Sequence, residues 1–185
     1  MPEIIQTMDY HILYAIIHLR TDGLTHIFML LTQLGNGGLL WLVLAAVLLI
    51  KRRTRPYAAP LLLALLLVLL FGNFIIKDMV QRPRPFVTYP ELVNLVQQSG
   101  YSFPSAHTAT SFASATAVWL SFRAEGRHWL GVCCLLAAAG IALSRLYLCV
   151  HYPSDVLAGL VLGIATGCFS VWLCRKIQRH FSHPS

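Results

Sequence analysis

The chain has 185 residues, of which 57% are hydrophobic and only 11% charged, a balance too apolar for an ordinary soluble domain. That length accommodates one compact membrane domain, residues 1–185, and no second one. The formal charge of +7 invites a nucleic-acid reading, but the cations sit in blocks at the ends of apolar runs, which speaks against nucleic acid and for membrane flanks.

The N-terminus carries Glu3 and Asp9 without a basic leader, so no cleavable signal peptide is expected. Residues 8–20 mix apolar and polar positions over a short length and predict an amphipathic helix at the membrane interface. A first span follows at about Leu24 to Ile50. It contains the patch Gly35-Asn36-Gly37-Gly38, which fits either one bent span or two shorter helices. The block Lys51-Arg52-Arg53-Thr54-Arg55 closes it.

The second span, Tyr57 to Ile76, is almost pure Leu and Ala. The longest polar stretch runs from Lys77 to Phe103. A third span is predicted from about Pro104 to Phe122, a fourth from Trp129 to Leu148 and a fifth from Pro153 to Leu173. Each approaches the ~20 residues that cross a bilayer. The fold expected is therefore all-α: an integral membrane helical bundle of five to six transmembrane helices plus the interfacial helix. Cys133, Cys134, Cys149, Cys168 and Cys174 lie in or beside apolar runs, which fits buried small hydrophobes better than a disulfide framework.

With five spans, nine of the fourteen Lys and Arg (Lys51, Arg52, Arg53, Arg55, Arg123, Arg127, Arg175, Lys176 and Arg179) fall on one side. The positive-inside rule makes that side cytoplasmic. Arg20, Lys77, Arg82, Arg84 and Arg145 fall on the other. Three polar clusters gather on this second, extracytoplasmic side, where ionisable residues at a membrane edge mark a functional site.

The first cluster is Lys77-Asp78-Met79-Val80-Gln81-Arg82-Pro83-Arg84-Pro85; taken alone, Lys77 reads as a snorkelling cation at a helix end. The second, Pro104-Ser105-Ala106-His107, opens the third span. It reads as a plain N-cap or as an anion site built from the Ser105 hydroxyl, the amides of Ser105 and Ala106, and His107. The third runs from Ser144-Arg145 to His151-Tyr152-Pro153-Ser154-Asp155. A helix starting at Tyr152 or Pro153 puts Asp155 in its first turn, within reach of His151. A carboxylate on one ring nitrogen fixes the tautomer and frees the other as nucleophile or base. Cations, helix-start amides and two histidines together suit a phosphoryl group, whose oxygens carry the charge. No His, Asp or Glu cluster has metal-ligand spacing, so no metal or other cofactor is expected and the cations take the part of Mg²⁺.

These clusters resemble the signatures of the type 2 phosphatidic acid phosphatase family, K-x6-R-P, P-S-G-H and S-R-x5-H-x3-D. This chain reads Lys77-x6-Arg84-Pro85, Pro104-Ser105-Ala106-His107 and Ser144-Arg145-x5-His151-x3-Asp155, a motif core at 77–155. The one departure is Ala106 in place of Gly, which keeps the amide but adds a methyl group. The resemblance implies a membrane lipid phosphatase with no cofactor, whose partners are membrane lipids and a lipid phosphate substrate. His151 would attack phosphorus and form a phosphohistidine, Asp155 would orient it, and His107 would protonate the leaving oxygen and then activate water. Lys77, Arg84, Arg145, Ser105 and the Ala106 amide would hold the phosphoryl oxygens. Arg82 and Asp78 fall outside the signatures and read as loop charges. His11, His18, His26, His128, His180 and His183 read as interfacial or solvated.

Within the family, small size and an outward site are similar to the bacterial undecaprenyl-diphosphate phosphatases, which recycle the wall-carrier lipid. Phosphatidylglycerophosphate or phosphatidate phosphatases and a lipid phosphotransferase are the alternatives. A transporter would need polar residues along the depth of the bundle rather than at one face. Haloperoxidases sharing these signatures are soluble proteins, which five spans disfavour.

Overall fold

A computed structural model describes residues 2–182, and those residues form helices with no strand among them. His183 lies outside the described residues. Four stretches are long and apolar enough to cross a membrane: Asp22–Ile50, Arg55–Thr88, His128–Tyr147 and Pro153–His180. Between the second and third lies helix α7, Ala106–Phe122, whose 17 residues span about 25 Å at 1.5 Å per residue. With α7 the long helical stretches among the described residues number five, in line with the five to six helices expected.

The N-terminal helix α1, Glu3–Ile17, starts earlier than its amphipathic pattern predicted and buries Asp9 and Leu13. The first span is broken at its glycines. Helix α2, Asp22–Gly35, gives way to a 3₁₀ turn at Asn36–Gly38 before helix α3, Leu39–Ile50, continues. Gly37 and Gly38 have φ of 59° and 72°, a left-handed backbone that glycine adopts at no steric cost. The second pass joins helix α4, Arg55–Leu67, a π-helical stretch, Val68–Ile76, and helix α5, Lys77–Val80, without interruption. Lys77 therefore starts on a helix rather than in the polar loop. A short helix α6, Pro85–Thr88, follows.

α7 is the axis of the bundle. Its Ala, Ser and Thr side chains are small, and most of them are buried, because neighbours close on it from several sides. Helix α8, His128–Tyr147, and helix α9, Pro153–Ser182, flank it. Lipid tails are as apolar as leucine, so helices in a bilayer gain most from close van der Waals approach. Gly159, Gly163 and Gly167, one turn apart on α9, supply that approach. A Cβ added at them would lie 2.7, 2.5 and 2.7 Å from the carbonyl oxygens of Ser105, Ala109 and Ala113. Trp41 Nε1 donates to Ser111 Oγ across the buried α3–α7 contact at 3.1 Å.

The basic blocks gather at one end. There Arg175 donates to the Leu120 carbonyl at 2.7 Å, Tyr57 donates its hydroxyl to Glu125, and Arg127 lies 3.8 Å from Glu125. The three polar clusters occupy the opposite end. Gly163→Ala should lower stability by about 1–3 kcal/mol, the usual cost of overpacking a tight contact. Gly140→Ala, whose new Cβ would meet Leu31 methyls at 3.4 and 3.5 Å, should stay within about 0.5 kcal/mol of wild type. Unfolding midpoints in detergent micelles check both.

Candidate active site

His151 sits in the tight turn at 148–152 between α8 and α9. The turn is a Schellman closure: Val150 N donates to Arg145 O at 3.2 Å and Cys149 N to Leu146 O at 2.9 Å. Cys149 takes the left-handed position with φ 57°, where glycine is usual. α9 then starts with Pro153 at its first position, as the sequence predicts. Asp155 caps that start by accepting from Tyr152 N at 2.9 Å, the reciprocal half of a capping box. The same oxygen, Oδ2, lies 3.6 Å from His151 Nδ1. That distance is long for a hydrogen bond and short for electrostatic orientation.

Asp155 has no exposed surface, so its charge needs partners. Ser102 Oγ donates to Oδ2 at 2.5 Å, and Arg82 Nη1 donates to Oδ1 at 2.6 Å. Arg82 is thus a correction to its reading as a loop charge: it is buried, and its Nη2 also pairs with Asp9 at 2.7 Å. Gln81, with φ 47°, reverses the chain after α5 so that Arg82 and Arg84 both turn inward.

Arg84 donates to four backbone carbonyls: Val150 at 2.8 Å, Gly100 and Ser99 at 2.9 Å, and Tyr101 at 3.2 Å. Its Nη1 also lies 3.4 Å from His151 Nε2. It therefore clamps the 99–101 loop to the histidine turn and faces the ring nitrogen that Asp155 leaves free. Burial, together with the Arg145 and Arg84 guanidiniums and against the pull of Asp155, pushes the His151 imidazole down to about 4. At neutral pH the ring is uncharged and Nε2 keeps its lone pair.

Arg145 is buried on α8. It donates to Thr32 Oγ1 and, at 2.8 Å, to Gln98 Oε1, while its Nε has no protein partner. Lys77 and His107 line a cavity of about 510 Å³ with Gln98, Ala106, Thr110 and Asn73. The inner wall is leucine: Leu42, Leu62, Leu65, Leu66 and Leu69. His107 Nε2 lies 2.9 Å from Asn36 Oδ1, and its ring fills the space of the missing Gly35 side chain, 2.8 Å from that Cβ position.

Ser105 is the N-cap of α7 but is not a plain one. It makes no capping bond; its hydroxyl accepts from Thr108 Oγ1 at 2.9 Å, and its amide donates to Asp155 O at 3.1 Å. The Ser105 amide expected to be free is therefore engaged. The Ala106 amide is one of the α7 N-terminal donors that no helical carbonyl serves. The structure thus brings Lys77, Arg84, Ser105, Ala106, His107, Arg145, His151 and Asp155 to one end of the bundle. It adds Arg82, Asp9, Ser102, Asn36 and Gln98, which carry no spacing signal in the sequence.

This all-α membrane bundle, with basic and histidine side chains at one end of a leucine-walled cavity, is a fold shared with known membrane phosphatases. The PAP2 superfamily model matches residues 57–179, and the chain belongs to that superfamily. It is 29% identical to an undecaprenyl-diphosphatase of Sulfolobus acidocaldarius over 66% of this chain and 58% of that one. It is 33% identical to the bacitracin transport permease protein BcrC of Bacillus licheniformis over 51% of this chain and 45% of that one. The chain spans about half the length of these two curated relatives. The transmembrane PAP2-type phosphatidylglycerolphosphate phosphatase of Bacillus subtilis has the same fold. It superposes with a TM-score of 0.81 at 23% identity, over 95% of this chain and 89% of that one. LpxE of Aquifex aeolicus follows with a TM-score of 0.76 at 28% identity, over 88% and 94%.

The family resemblance implies that His151 attacks, and an attacking imidazole must be neutral, so on that expectation activity should fall as pH drops through the His151 pKa. The corresponding acid limb of kcat/KM, which reports the free enzyme, should sit near pH 4 instead of near the ordinary 6.5. Kinetics in micelles with a substrate of constant ionisation over that range check this.

Proposed function

We propose that the chain is a lipid phosphatase that hydrolyses undecaprenyl diphosphate to undecaprenyl phosphate and inorganic phosphate. One observation carries the lipid-phosphate reading: a single cavity joins a leucine wall to Lys77, Gln98 and His107. An amphiphile fits such a boundary, with its chain against the leucines and its phosphate beside Lys77 and His107. The relative named undecaprenyl-diphosphatase supports the prenyl diphosphate.

His151 Nε2 attacks the terminal phosphorus, forming a P–N bond while the P–O bond to the lipid phosphate breaks. His107 gives the departing oxygen its proton. Water then attacks the phosphohistidine, His107 takes its proton, the P–N bond breaks and phosphate leaves. Lys77, Arg145 with its unpartnered Nε, and the Ala106 amide hold the phosphoryl oxygens, and Arg84 steadies the loop beside the nucleophile. The basic end faces the cytoplasm and the site faces outward.

A second reading is phosphatidylglycerophosphate hydrolysis. It is favoured by 27% identity to phosphatidylglycerophosphatase B of Bacillus subtilis over 95% of this chain and 87% of that one. Phosphate release by purified protein from undecaprenyl diphosphate, phosphatidylglycerophosphate and phosphatidate separates them. Undecaprenyl diphosphate should lead by about tenfold in kcat/KM, or ~1.4 kcal/mol of transition-state binding. A lead by phosphatidylglycerophosphate selects the second reading. Release that survives His151→Ala overturns the nucleophile assignment.

Sidedness has its own test, with the five native cysteines replaced by alanine. An impermeant thiol reagent should label Thr88→Cys in intact cells and Arg52→Cys only after permeabilisation. The reverse pattern places the site in the cytoplasm.

A further inference from the structure

The reading of His151 as nucleophile leaves one buried constellation unused. Asp9 on α1 is 2% exposed, Arg82 is 8% exposed and Asp155 is 0% exposed. Arg82 stands between the two carboxylates, 2.6 Å from Asp155 Oδ1 and 2.7 Å from Asp9 Oδ2. Ser154 closes the ring: its hydroxyl donates to Asp9 Oδ2 at 2.5 Å and accepts from Arg82 Nη1 at 2.7 Å, and its amide donates to Asp9 Oδ1 at 2.9 Å. The Arg82 guanidinium also lies over the Tyr152 ring, 3.7 Å from its centroid. Asp9 therefore caps the first turn of α9 from another helix, and α1 is tied to the residue that faces the nucleophile.

We propose that Arg82 is a positioning residue for the phosphohistidine step and that Asp9 is its necessary counterweight. A phosphorylated imidazole is cationic, so the step needs an ionised carboxylate at Nδ1. A carboxylate without solvent tends to take up a proton or turn away. Arg82 prevents both by fixing Oδ1, which leaves Oδ2 facing His151. Arg82 alone would also cancel the charge that His151 needs, since a cation and an anion at 2.6 Å look neutral from outside. Asp9 removes that difficulty. Two carboxylates sharing one guanidinium carry a net charge of −1, so Asp155 stays held by a cation and still presents negative charge to the ring. The same contact makes the N-terminal helix a component of the catalytic end rather than a membrane float.

This proposal rests on the nucleophile reading above, and His151→Ala, run alongside, separates the two. Purified Arg82→Gln should lose about 10- to 100-fold in kcat, the range for outer partners that orient a catalytic group. Its KM should stay within about threefold of wild type, because the lost interaction forms only in the transition state. The single-turnover rate of phosphoryl transfer to protein should fall in parallel. Arg82→Lys should recover part of the rate, because it keeps the charge. Asp9→Asn keeps an acceptor for the Ser154 amide but puts an NH2 group where Oδ2 accepts from Arg82 and the Ser154 hydroxyl, so it removes the charge together with those two bonds; it too should lower kcat with KM held. The double variant Asp9→Asn with Arg82→Gln should be no slower than Arg82→Gln alone, since Asp9 reaches Asp155 only through the guanidinium.

If Arg82→Gln does not fold, Asp9→Asn and Arg82→Lys decide. Folded variants with kcat within about twofold of wild type, losses confined to KM, or multiplicative losses in the double variant would each overturn the proposal. Turnover retained by His151→Ala would instead remove the nucleophile reading beneath it.

Discussion

A carboxylate with no solvent, Asp155, is the constraint on which the polar end of the bundle depends. Its oxygens take Arg82, Ser102 and the Tyr152 amide, and its carbonyl takes the Ser105 amide. These groups come from the loop after α5, the loop before α7, the turn after α8 and the start of α7. Burying one anion thus draws together pieces of chain up to 73 residues apart in sequence. Removing one partner would leave a buried charge uncompensated, so the cluster holds as a unit. The same requirement places His151, whose turn leads directly into the helix that Asp155 caps.

The constraint works because α7 and α9 cannot slide. With carbonyls of α7 at van der Waals distance from Gly159, Gly163 and Gly167, the register between the two helices is set over two turns. Ser105 heads one of them and Asp155 the other, so the glycine contact positions the two motif ends along with the bundle. Side chains that move by an ångström can cost two orders of magnitude in rate. Rigid helix ends are the appropriate support for the proposed chemistry.

Much of this was legible in the sequence, for reasons that can be named. The span count followed from apolar length, which the bilayer thickness dictates. His151 and Asp155 met because a proline-started helix after a short turn leaves them little choice. Arg82 was not legible. It lies two residues from Arg84 in a repeating Arg-Pro unit, and only the left-handed Gln81 decides which guanidinium points where. Asp9 was hidden in an amphipathic pattern that is equally satisfied by a lipid surface or by a protein one. Cys149 occupies a left-handed closure without the glycine that would have announced it. The glycines of α9, at four-residue spacing, were a signal for close helix contact, but spacing alone does not say which helix is met.

The remaining irregularities share one location. In a membrane, non-helical backbone is tolerated only where protein or a water-filled cavity can serve its polar groups. This chain departs from the α-helix within its spans at the Asn36–Gly38 turn and at the π-helical Val68–Ile76 stretch, and a third span begins at Ala106. Gly37, Gly38, Asn73 and Ala106 all line the same cavity as His107 and Lys77. The break in the first span frees Asn36 to meet His107, and the missing side chain of Gly35 admits the imidazole ring. The π stretch turns Asn73 and Lys77 toward the same space, and the buried Asn73 Oδ1 has no protein partner. Polar groups left over from broken helices are costly in lipid and useful beside a phosphate, so the placement of the irregularities and the placement of the cavity have the same physical cause.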